Sequence, residues 1–472
     1  MVYNEEKRGM VMKSNAVEKM TERSKGGGAL SVGVDIGTTT ISAVVYDLDA
    51  KEQLEAYTLT HDAHVSSDIR SEQNVFVILD KAEKLLAHIL RCYTNVIGIG
   101  LTGQMHGIVY IDGEGNPLSH LINWQDKRAD LPLDDGKTTC ERIWDTVGES
   151  VATGYGIATH YYHLLCGKVP DRAVGFCSIM DLFGMKLCGL KKAIVHTSVA
   201  ASFGLFDIKR GAFLEDAARR LGISEAFLPD VTGESRVIGE YKGIPVSVAI
   251  GDNQASFLGS AGANADVLLV NIGTGSQISA VSDYREAGGD VELRPFIEGR
   301  YLLCGSALCG GSAYSMLEKF FRSYAVFAGM QDVSQYPILN RLAEEAYESG
   351  KCGLDVDVSF FGKRSDPTRR GTVHGIGIQN FTPEDLVLGV LKGMCEELHT
   401  LYECFAEKKT KIVASGGAVK KNTILKRLIG DRFGMTVSVN AADEEAALGA
   451  ALFSALAVGK IENVEKFSEY VK

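Results

Sequence analysis

The chain has 472 residues, of which 45% are hydrophobic and 23% are charged, and its formal net charge is −11. This length exceeds what one hydrophobic core usually organises, so we expect two or more globular domains. The acidic balance, with no basic run to offset it, argues against a nucleic-acid partner. No apolar run approaches the roughly 20 residues that a membrane helix needs, so we expect no membrane partner either.

The cysteines and the N-terminus both favour a cytoplasmic protein. Ten cysteines are scattered along the chain without a Cys-x-x-Cys pair, which favours reduced, mostly buried thiols over a zinc site or a disulfide framework. Residues 1–28 mix charged residues with serine, contain no apolar segment and end in Gly26, Gly27 and Gly28. This composition predicts a mobile N-terminal tail rather than a signal peptide.

Residues 31–47, SVGVDIGTTTISAVVYD, consist of two apolar, β-branched runs around a polar turn. The pattern predicts a β-hairpin. Gly37 permits close backbone approach, and the backbone N–H groups and the hydroxyls of Thr38 and Thr39 are suited to binding a phosphate. Asp35 fits beside a phosphate only with Mg²⁺ or a proton between the like charges. A polar turn without a ligand is the alternative.

Residues 267–281, VLLVNIGTGSQISAV, repeat this form in the second half of the chain. The turn contains Gly273, Thr274 and Gly275 between two apolar runs. Neither turn has the Gly-Lys-Ser/Thr ending of a Walker loop or the Gly-x-Gly-x-x-Gly of a dinucleotide fold. Two similar hairpins, one in each half, indicate an internal duplication whose loops could hold one nucleotide from both sides of a cleft.

Two polar segments in the first half contain the residue types that a sugar site needs, namely an aromatic face and fixed donors and acceptors. One segment follows the apolar run at 96–101, and the other is NWQDKR at 123–128. The candidate sugar-binding residues are Gln104, Met105, His106, Trp124, Asp126 and Arg128. A Gln-x-His after a strand is also common for purely structural reasons.

Two further candidates come after predicted buried strands. Residues 243–250 lead into Gly251 and Asp252, which would place one carboxylate at the end of a strand; capping of the following helix is the alternative role for Asp252. Residues 411–414 lead into Gly416 and Gly417, where an adenine could lie flat against the backbone. Asn422 would then support the base or the ribose.

Four segments together carry a family resemblance: GLTGQMHG at 100–107, NWQDKR at 123–128, GYGIATHYYHLL at 154–165 and AIGDNQAS at 249–256. Their order along the chain resembles that in the carbohydrate kinases named for a Phe-Gly-Gly-Tyr motif, which belong to the actin-like ATPase superfamily. The matches run from Leu30 to about Val458. The resemblance implies an α/β fold with two actin-like (ribonuclease H-like) ATPase domains around a central cleft. Residues 29–258 would form a sugar-binding domain and residues 259–472 a nucleotide-binding domain.

The resemblance also implies a reaction. An ATP-dependent kinase would transfer the γ-phosphoryl group to the terminal primary hydroxyl of a ketose, with Asp252 as general base and Mg²⁺ near Asp35 and Asp252. Sedoheptulose is the first expectation for the ketose, and a pentulose such as xylulose is the alternative. From another class, a catalytically weak sugar or nucleotide sensor on the same scaffold is the rival. The oligomeric state is left open, a homodimer being one option.

Ser42 departs from the family pattern. The family usually has a Lys or Arg at this position. It comes just after the predicted phosphate-binding turn at residues 37–39, which we call the first loop. Loss of a cation beside a triphosphate would slow transfer unless Mg²⁺ and backbone donors replace it.

Overall fold

The computed structural model describes residues 10–12, 28–65, 69–283, 288–440 and 442–471. Most of the predicted N-terminal tail lies outside these residues, so its mobility stays a prediction. None of the helices in the described part of the chain is long and apolar enough to cross a membrane.

The strands are listed here in chain order. They are β1 Met10–Met12, β2 Leu30–Ile36, β3 Thr40–Asp47, β4 Glu52–Thr60, β5 Glu72–Gln73, β6 Val96–Gly103, β7 Val109–Ile111, β8 Leu121–Ile122, β9 Gly175–Cys177, β10 Ile194–His196, β11 Phe206–Asp207, β12 Ala212–Phe213, β13 Asp230–Thr232, β14 Val237–Tyr241, β15 Ile244–Ser247, β16 Ile250–Gly251, β17 Val267–Ile272, β18 Ser276–Ser282, β19 Val291–Pro295, β20 Tyr301–Ala307, β21 Asp355–Asp357, β22 Thr372–His374, β23 Lys411–Ser415 and β24 Thr436–Val439.

The α-helices alternate with these strands. They are α1 Val75–Cys92, α2 Thr139–Val147, α3 Gly156–Leu165, α4 Ile179–Cys188, α5 Thr197–Ala200, α6 Glu215–Arg220, α7 Asp252–Ala261, α8 Gly311–Phe327, α9 Tyr336–Glu348, α10 Pro383–Glu403, α11 Gly417–Lys421, α12 Thr423–Phe433 and α13 Glu445–Ala457. Helix α6 is short, and Gly222, with a positive φ of 76°, follows its last turn.

The chain forms two compact units. The first contains the described residues within 1–263, 294–300 and 442–472, and the second those within 264–293 and 301–441. The first sheet has the order β1-β4-β3-β2-β6-β15-β14, in which β4, β3 and β2 are antiparallel and β2, β6 and β15 are parallel. Both predicted hairpins form, as β2–β3 here and as β17–β18 in the second unit.

The second unit repeats the plan of the first. Its sheet has the order β19-β20-β18-β17-β23-β24, with an antiparallel set β20, β18 and β17 followed by the parallel strands β23 and β24. Each sheet therefore starts with an antiparallel meander and continues with parallel strands on the side of its first strand. This shared strand order is what an internal duplication would leave.

Helix α13 lies in the first unit although it comes at the end of the chain. It packs on α7 and on strands β2 and β6, and glycines allow the contact: a Cβ on Gly33 or Gly100 would lie 1.8 Å from the carbonyl oxygen of Ala447 or Ala450. The expected domain boundary at residues 258/259 placed this helix in the second domain. The observed division differs because the apolar face of α13 is buried against the first sheet.

Candidate active site

Asp35 and Asp252 are brought to one edge of the first sheet. Asp35 is on β2 and pairs with Thr102 of β6, and Ile250 of β16 pairs with the same Thr102. Strand β16 then ends at Gly251, and Asp252 is the first residue of α7. The N-cap of α7 is Gly251, so Asp252 does not cap this helix. Its carboxylate is placed by the strand rather than by a capping role.

The two carboxyl groups influence each other. Burial raises the pKa of Asp35 to about 7, and repulsion from Asp252 and Glu444 adds to this rise. Burial also raises the pKa of Asp252, although hydrogen bonds from Asn253 and the positive charge of Arg294 oppose it. Asp252 Oδ1 accepts from Asn253 N at 2.7 Å and from Asn253 Nδ2 at 2.9 Å. Without a bound cation, a negative charge on both carboxylates at the same time is therefore energetically unfavourable.

These two carboxylates fit a divalent cation that receives its remaining ligands from water and phosphate. A cation between them would relieve the repulsion that raises the pKa of Asp35. Within the described residues no group of three or more His, Cys, Asp or Glu side chains is arranged to bind a metal. A metal here would thus be held mainly through its other ligands, as is usual for Mg²⁺ on a nucleotide.

Four of the six candidate sugar-binding residues lie next to this edge. Gln104 is 4% exposed, and its Nε2 donates to Gly37 O at 3.2 Å. Met105 is buried, and its Sδ lies 2.7 Å from where a Cβ on Gly251 would be. Trp124 is 47% exposed and donates from Nε1 to Thr38 Oγ1 at 3.0 Å. Gln104 and Trp124 therefore connect the predicted sugar site to the first loop.

His106, the fourth of these residues, is in an unusual backbone conformation with a φ of 70°. Its ring stacks on Tyr155 with centroids 4.4 Å apart, and its Nδ1 lies 2.9 Å from Ser202 O. Since a carbonyl oxygen can only accept, Nδ1 carries the proton and Nε2 is left as the acceptor of the neutral ring. The surrounding contacts thus determine the orientation and tautomer of the ring.

Asp126 and Arg128 are placed differently from the other four candidates. Both are buried, and Asp126 Oδ1 accepts from Arg128 Nε at 2.7 Å. Arg128 also donates to Glu72 Oε1 at 2.6 Å and contacts His163 Nε2. The Asp126 oxygens further accept from the backbone of Ser71. These contacts give the pair a structural role, and direct sugar binding by either residue stays a prediction.

The predicted second phosphate loop joins β17 to β18 in the second unit. The N–H groups at the start of α8 tie it back: Gly311 N donates to Gly273 O at 2.9 Å, and Ser312 N donates to Thr274 O at 3.0 Å. A Cβ on Gly311 would lie 2.5 Å from Gly273 O, so only glycine allows this approach. Because these carbonyls point toward α8, the N–H group on the other side of each peptide, including that of Gly275, points away from α8.

The predicted adenine segment also has a clear geometry. Gly416 has a φ of 90°, and a Cβ there would lie 2.5 Å from Ile272 O. Gly417 begins α11, and nothing lies within 4 Å of the position of a Cβ on it. Asn422 caps α12 through Oδ1 and donates from Nδ2 to Asn340 Oδ1 at 3.1 Å. A nucleotide contact by Asn422 would thus use its second amide hydrogen.

Ser42 lies on β3 between Asp35 of β2 and Thr58 of β4. It is 2% exposed, and its Oγ lies 3.5 Å from Thr58 Oγ1, which donates to Glu444 Oε1 at 2.8 Å. Serine therefore occupies a position on the same face as Asp35. A cation at this position would face acidic groups as well as the first loop.

Several residues at this edge carry no signal in the sequence. Gln73 and His61 bond to the first loop, Arg294 donates to Asn253 Oδ1 at 2.7 Å, and Glu444 acts on Asp35. Arg294 and Glu444 come from the segments that return to the first unit late in the chain. No local pattern marks such residues, because only the fold brings them to β2 and α7.

Solved structures share the fold of this chain. A ligand-bound xylulose kinase from Lactobacillus acidophilus aligns with a TM-score of 0.80 at 18% identity, covering 94% of this chain and 92% of that chain. A glycerol kinase from Plasmodium falciparum with ADP aligns with a TM-score of 0.78 at 19% identity, with the same coverage. The fold is therefore the two-domain actin-like ATPase fold, as the resemblance implied.

Sequence comparison places the chain within this class. Residues 30–259 match the N-terminal domain and residues 269–458 the C-terminal domain of the FGGY family of carbohydrate kinases. The chain belongs to this family and is an ATP-dependent sugar kinase. Sedoheptulokinases from Mus musculus and Homo sapiens are each 26% identical, over 90% of this chain and 96% of theirs. A xylulose kinase from Staphylococcus xylosus is 25% identical, over 93% of both chains.

Proposed function

We propose that this kinase phosphorylates a ketose, sedoheptulose in preference to other sugars, on its terminal primary hydroxyl. The main support for this site is that Asp252, Asp35 and Gln104 lie together at one edge of the first sheet. The choice of sedoheptulose is supported by the two sedoheptulokinases, which are 26% identical to this chain and are covered over 96% of their length.

Asp252 would act as general base. A carboxylate with a raised pKa is a better proton acceptor than an ordinary aspartate, and desolvation produces that rise here. Asn253 holds one carboxylate oxygen through two hydrogen bonds, which leaves the other oxygen to accept the proton of the sugar hydroxyl. Phosphoryl transfer otherwise needs positioning and charge neutralisation more than covalent chemistry.

Gln104 would recognise a sugar hydroxyl. Its two amide hydrogens bond to Gly37 O and to Gln73 Oε1, whereas its Oε1 has no hydrogen-bond partner among the described residues although it is buried. A buried unpaired acceptor is costly, and a hydroxyl donor in the site would satisfy it. The exposed face of Trp124 would cover C–H surfaces of the same sugar.

Mg²⁺ is the metal that we propose, with Asp35 and Asp252 as its protein contacts, partly through water. When bound to the triphosphate it would neutralise phosphate charge. The loops at 37–39 in the first unit and 273–275 in the second would bind phosphate oxygens, and residues 416–422 the adenosine. A cytoplasmic location belongs to the same proposal, since all ten cysteines are free thiols.

A ketose panel tests the substrate. ADP release is measured with sedoheptulose, xylulose, ribulose, glycerol and glucose, and the reaction without sugar gives the sugar-independent background. Sedoheptulose should have the highest specificity constant, pentuloses should be slower and glycerol nearly inert, because an unfilled hydroxyl site can cost up to roughly 10⁴-fold. If glycerol or glucose exceeds every ketose, the substrate proposal is wrong.

A pentulose is the second candidate substrate. The xylulose kinase from Staphylococcus xylosus is 25% identical over 93% of both chains, close to the value for the sedoheptulokinases. The same panel decides between the two, because xylulose would then give the highest specificity constant. A sensor without useful turnover would instead bind sugar and show no ADP release above the rate measured without sugar.

A further inference from the structure

Every backbone carbonyl of the first loop is bound by a neighbouring group. Gly37 O accepts from Gln104 Nε2 at 3.2 Å and from His61 Nε2 at 3.3 Å. Thr38 O accepts from Gln73 Nε2 at 2.6 Å, and Thr39 O accepts from His61 N at 3.2 Å. Thr40 O accepts from Gly37 N at 2.9 Å, which closes the turn.

These contacts determine where the N–H groups of the loop point. In a planar trans peptide, the C=O of one residue and the N–H of the next point in opposite directions. The bound carbonyls of Gly37 and Thr38 therefore direct the N–H groups of Thr38 and Thr39 away from Gln104 and Gln73. Among the described residues, no hydrogen bond takes either N–H group. The loop thus presents two adjacent free donors, the arrangement that binds an anion.

We propose that Gln73 is a positioning residue for the first phosphate loop and that it links this loop to the sugar through Gln104. This inference rests on the proposed roles of residues 37–39 and Gln104. Gln73 is 1% exposed, donates to Thr38 O and accepts from Gln104 Nε2 at 2.9 Å. One side chain therefore bonds both to the loop and to the residue that would contact the sugar.

The local fold explains how Gln73 reaches both partners. It ends strand β5, which pairs with β8 so that Gln73 lies opposite Leu121. Strand β8 leads directly into Trp124, whose Nε1 donates to the hydroxyl of Thr38. Pairing of two short strands thus places two side chains on the same loop residue, one on its carbonyl and one on its hydroxyl.

The loop of the second unit obtains the same restraint in another way. There the carbonyls of Gly273 and Thr274 accept from backbone N–H groups at the start of α8. Among the described residues, no helix N-terminus contacts the carbonyls of the first loop, and the side chains of Gln73, Gln104 and His61 bind those of Gly37 and Thr38. Substitution of Gln73 can therefore free the carbonyl of Thr38 in the first loop, whereas no side-chain substitution removes the backbone donors of the second loop.

The test compares Gln73→Met and Gln73→Glu with the wild type. Met removes both hydrogen bonds at similar volume. Glu keeps the acceptor for Gln104 Nε2, but its carboxylate cannot donate to Thr38 O, and only the protonated acid can. We expect kcat with the preferred sugar to fall about 10-fold to 100-fold in both variants at pH 8, as for a misplaced reacting group. Calorimetry, which needs no turnover, should show weaker MgATP binding.

The pH profile separates positioning from general damage. As the pH falls from 8 to 5.5, the activity of Gln73→Glu divided by that of wild type should rise, because protonation restores the donor to Thr38 O. The same ratio for Gln73→Met should stay flat. Activities of both variants within twofold of wild type would overturn the proposal, and so would equal, flat ratios for the two variants.

Controls separate this inference from the proposed function. Gln335→Met removes a comparable bond in the second unit, from a buried amide to Val333 O at 2.9 Å, and should leave kcat unchanged. Sugar affinity is measured by Trp124 fluorescence in a Trp144→Phe background, since the chain has only two tryptophans. A wild type inactive with every sugar contradicts the proposed function, whereas MgATP affinity unchanged in both variants contradicts the role of Gln73.

Discussion

At the scale of single residues, Asp252 is the group on which the proposed chemistry depends most. Its carboxylate follows a two-residue strand and is held by Asn253 alone among the hydrogen bonds described above. Asp252→Asn should lower turnover by about 10²-fold to 10⁴-fold, the usual contribution of a positioned general base, with little change in ATP affinity. Steady-state kinetics and calorimetry on the purified variant measure both. Near-normal turnover would exclude Asp252 as the base.

Asp35 should make the protein less stable as the pH rises. Its pKa in the folded protein is about 7, above the ordinary value of 3.8, because of burial and nearby acids. Between these two values the folded state binds more protons than the unfolded state, so stability falls with increasing pH. Asp35→Asn removes this effect, on the order of 2–4 kcal/mol at high pH.

Melting temperatures of Asp35→Asn and wild type at pH 4 and pH 8 test this. The variant should gain more over wild type at pH 8 than at pH 4, while losing activity. Melting curves are preferable to a single free energy of unfolding, because a chain with two compact units need not unfold in one step. An equal gain at both pH values would mean that Asp35 titrates normally.

Substitution of Ser42 tests whether the absence of the Lys or Arg that the family usually has at this position affects activity. Ser42→Lys would place an ammonium group on the face of β3 that also faces Asp35 and Thr58. We expect higher turnover or a lower Mg²⁺ requirement, because a charged donor beside a phosphate strengthens binding. Ser42→Met, of similar length but uncharged, controls for the added volume. Kinetics identical to wild type would mean that other groups have replaced the cation.

At the scale of elements, the contact between β6 and α13 is one of several close backbone contacts in the first unit. A Cβ on Gly100 would lie 1.8 Å from Ala450 O, whereas a Cβ on Gly98, two residues earlier on the same strand, would lie no closer than 3.1 Å to any atom, the nearest being Ser454 Oγ. Gly100→Ala should destabilise the protein by about 3 kcal/mol, because the helix backbone must move.

Gly98→Ala is the matched control for this contact. A side-chain hydroxyl can rotate away, so the melting temperature should change little. Comparable losses in the two variants would show that the close approach of Gly100 to α13 is not the reason for the loss in Gly100→Ala. A selective loss in Gly100→Ala would also show that the C-terminal residues stabilise the first unit.

At the scale of the whole molecule, the sugar and the nucleotide should protect different segments of the chain. Hydrogen exchange measured with sugar alone should slow in the first unit, at residues 104–107 and 252–256. A nonhydrolysable ATP analogue alone should slow exchange at residues 273–275 and 416–422 in the second unit. The reason is that these segments contain the proposed contacts, and bound backbone opens less often. Sugar protection confined to the second unit would contradict the division of roles.

The sequence alone determined the local elements that carry most candidate residues. The two hairpins follow from alternating β-branched runs around Gly-Thr turns, and the strand before Asp252 from an apolar run. These patterns depend on neighbours in the chain, so sequence reasoning reaches them. The order of the four motifs along the chain indicated the family, and the domain matches confirm it.

Tertiary structure alone decided which side chains meet. Gln73 lies opposite Leu121 only through the pairing of two short strands, and Glu444 reaches Asp35 only because α13 packs on the first sheet. Because of the same packing, the described residues within 442–472 belong to the first unit. Asp126 and Arg128, which the sequence predicts at the sugar, pair with each other in a buried network. Such contacts depend on burial and on partners distant in sequence, and no local pattern in the chain encodes them.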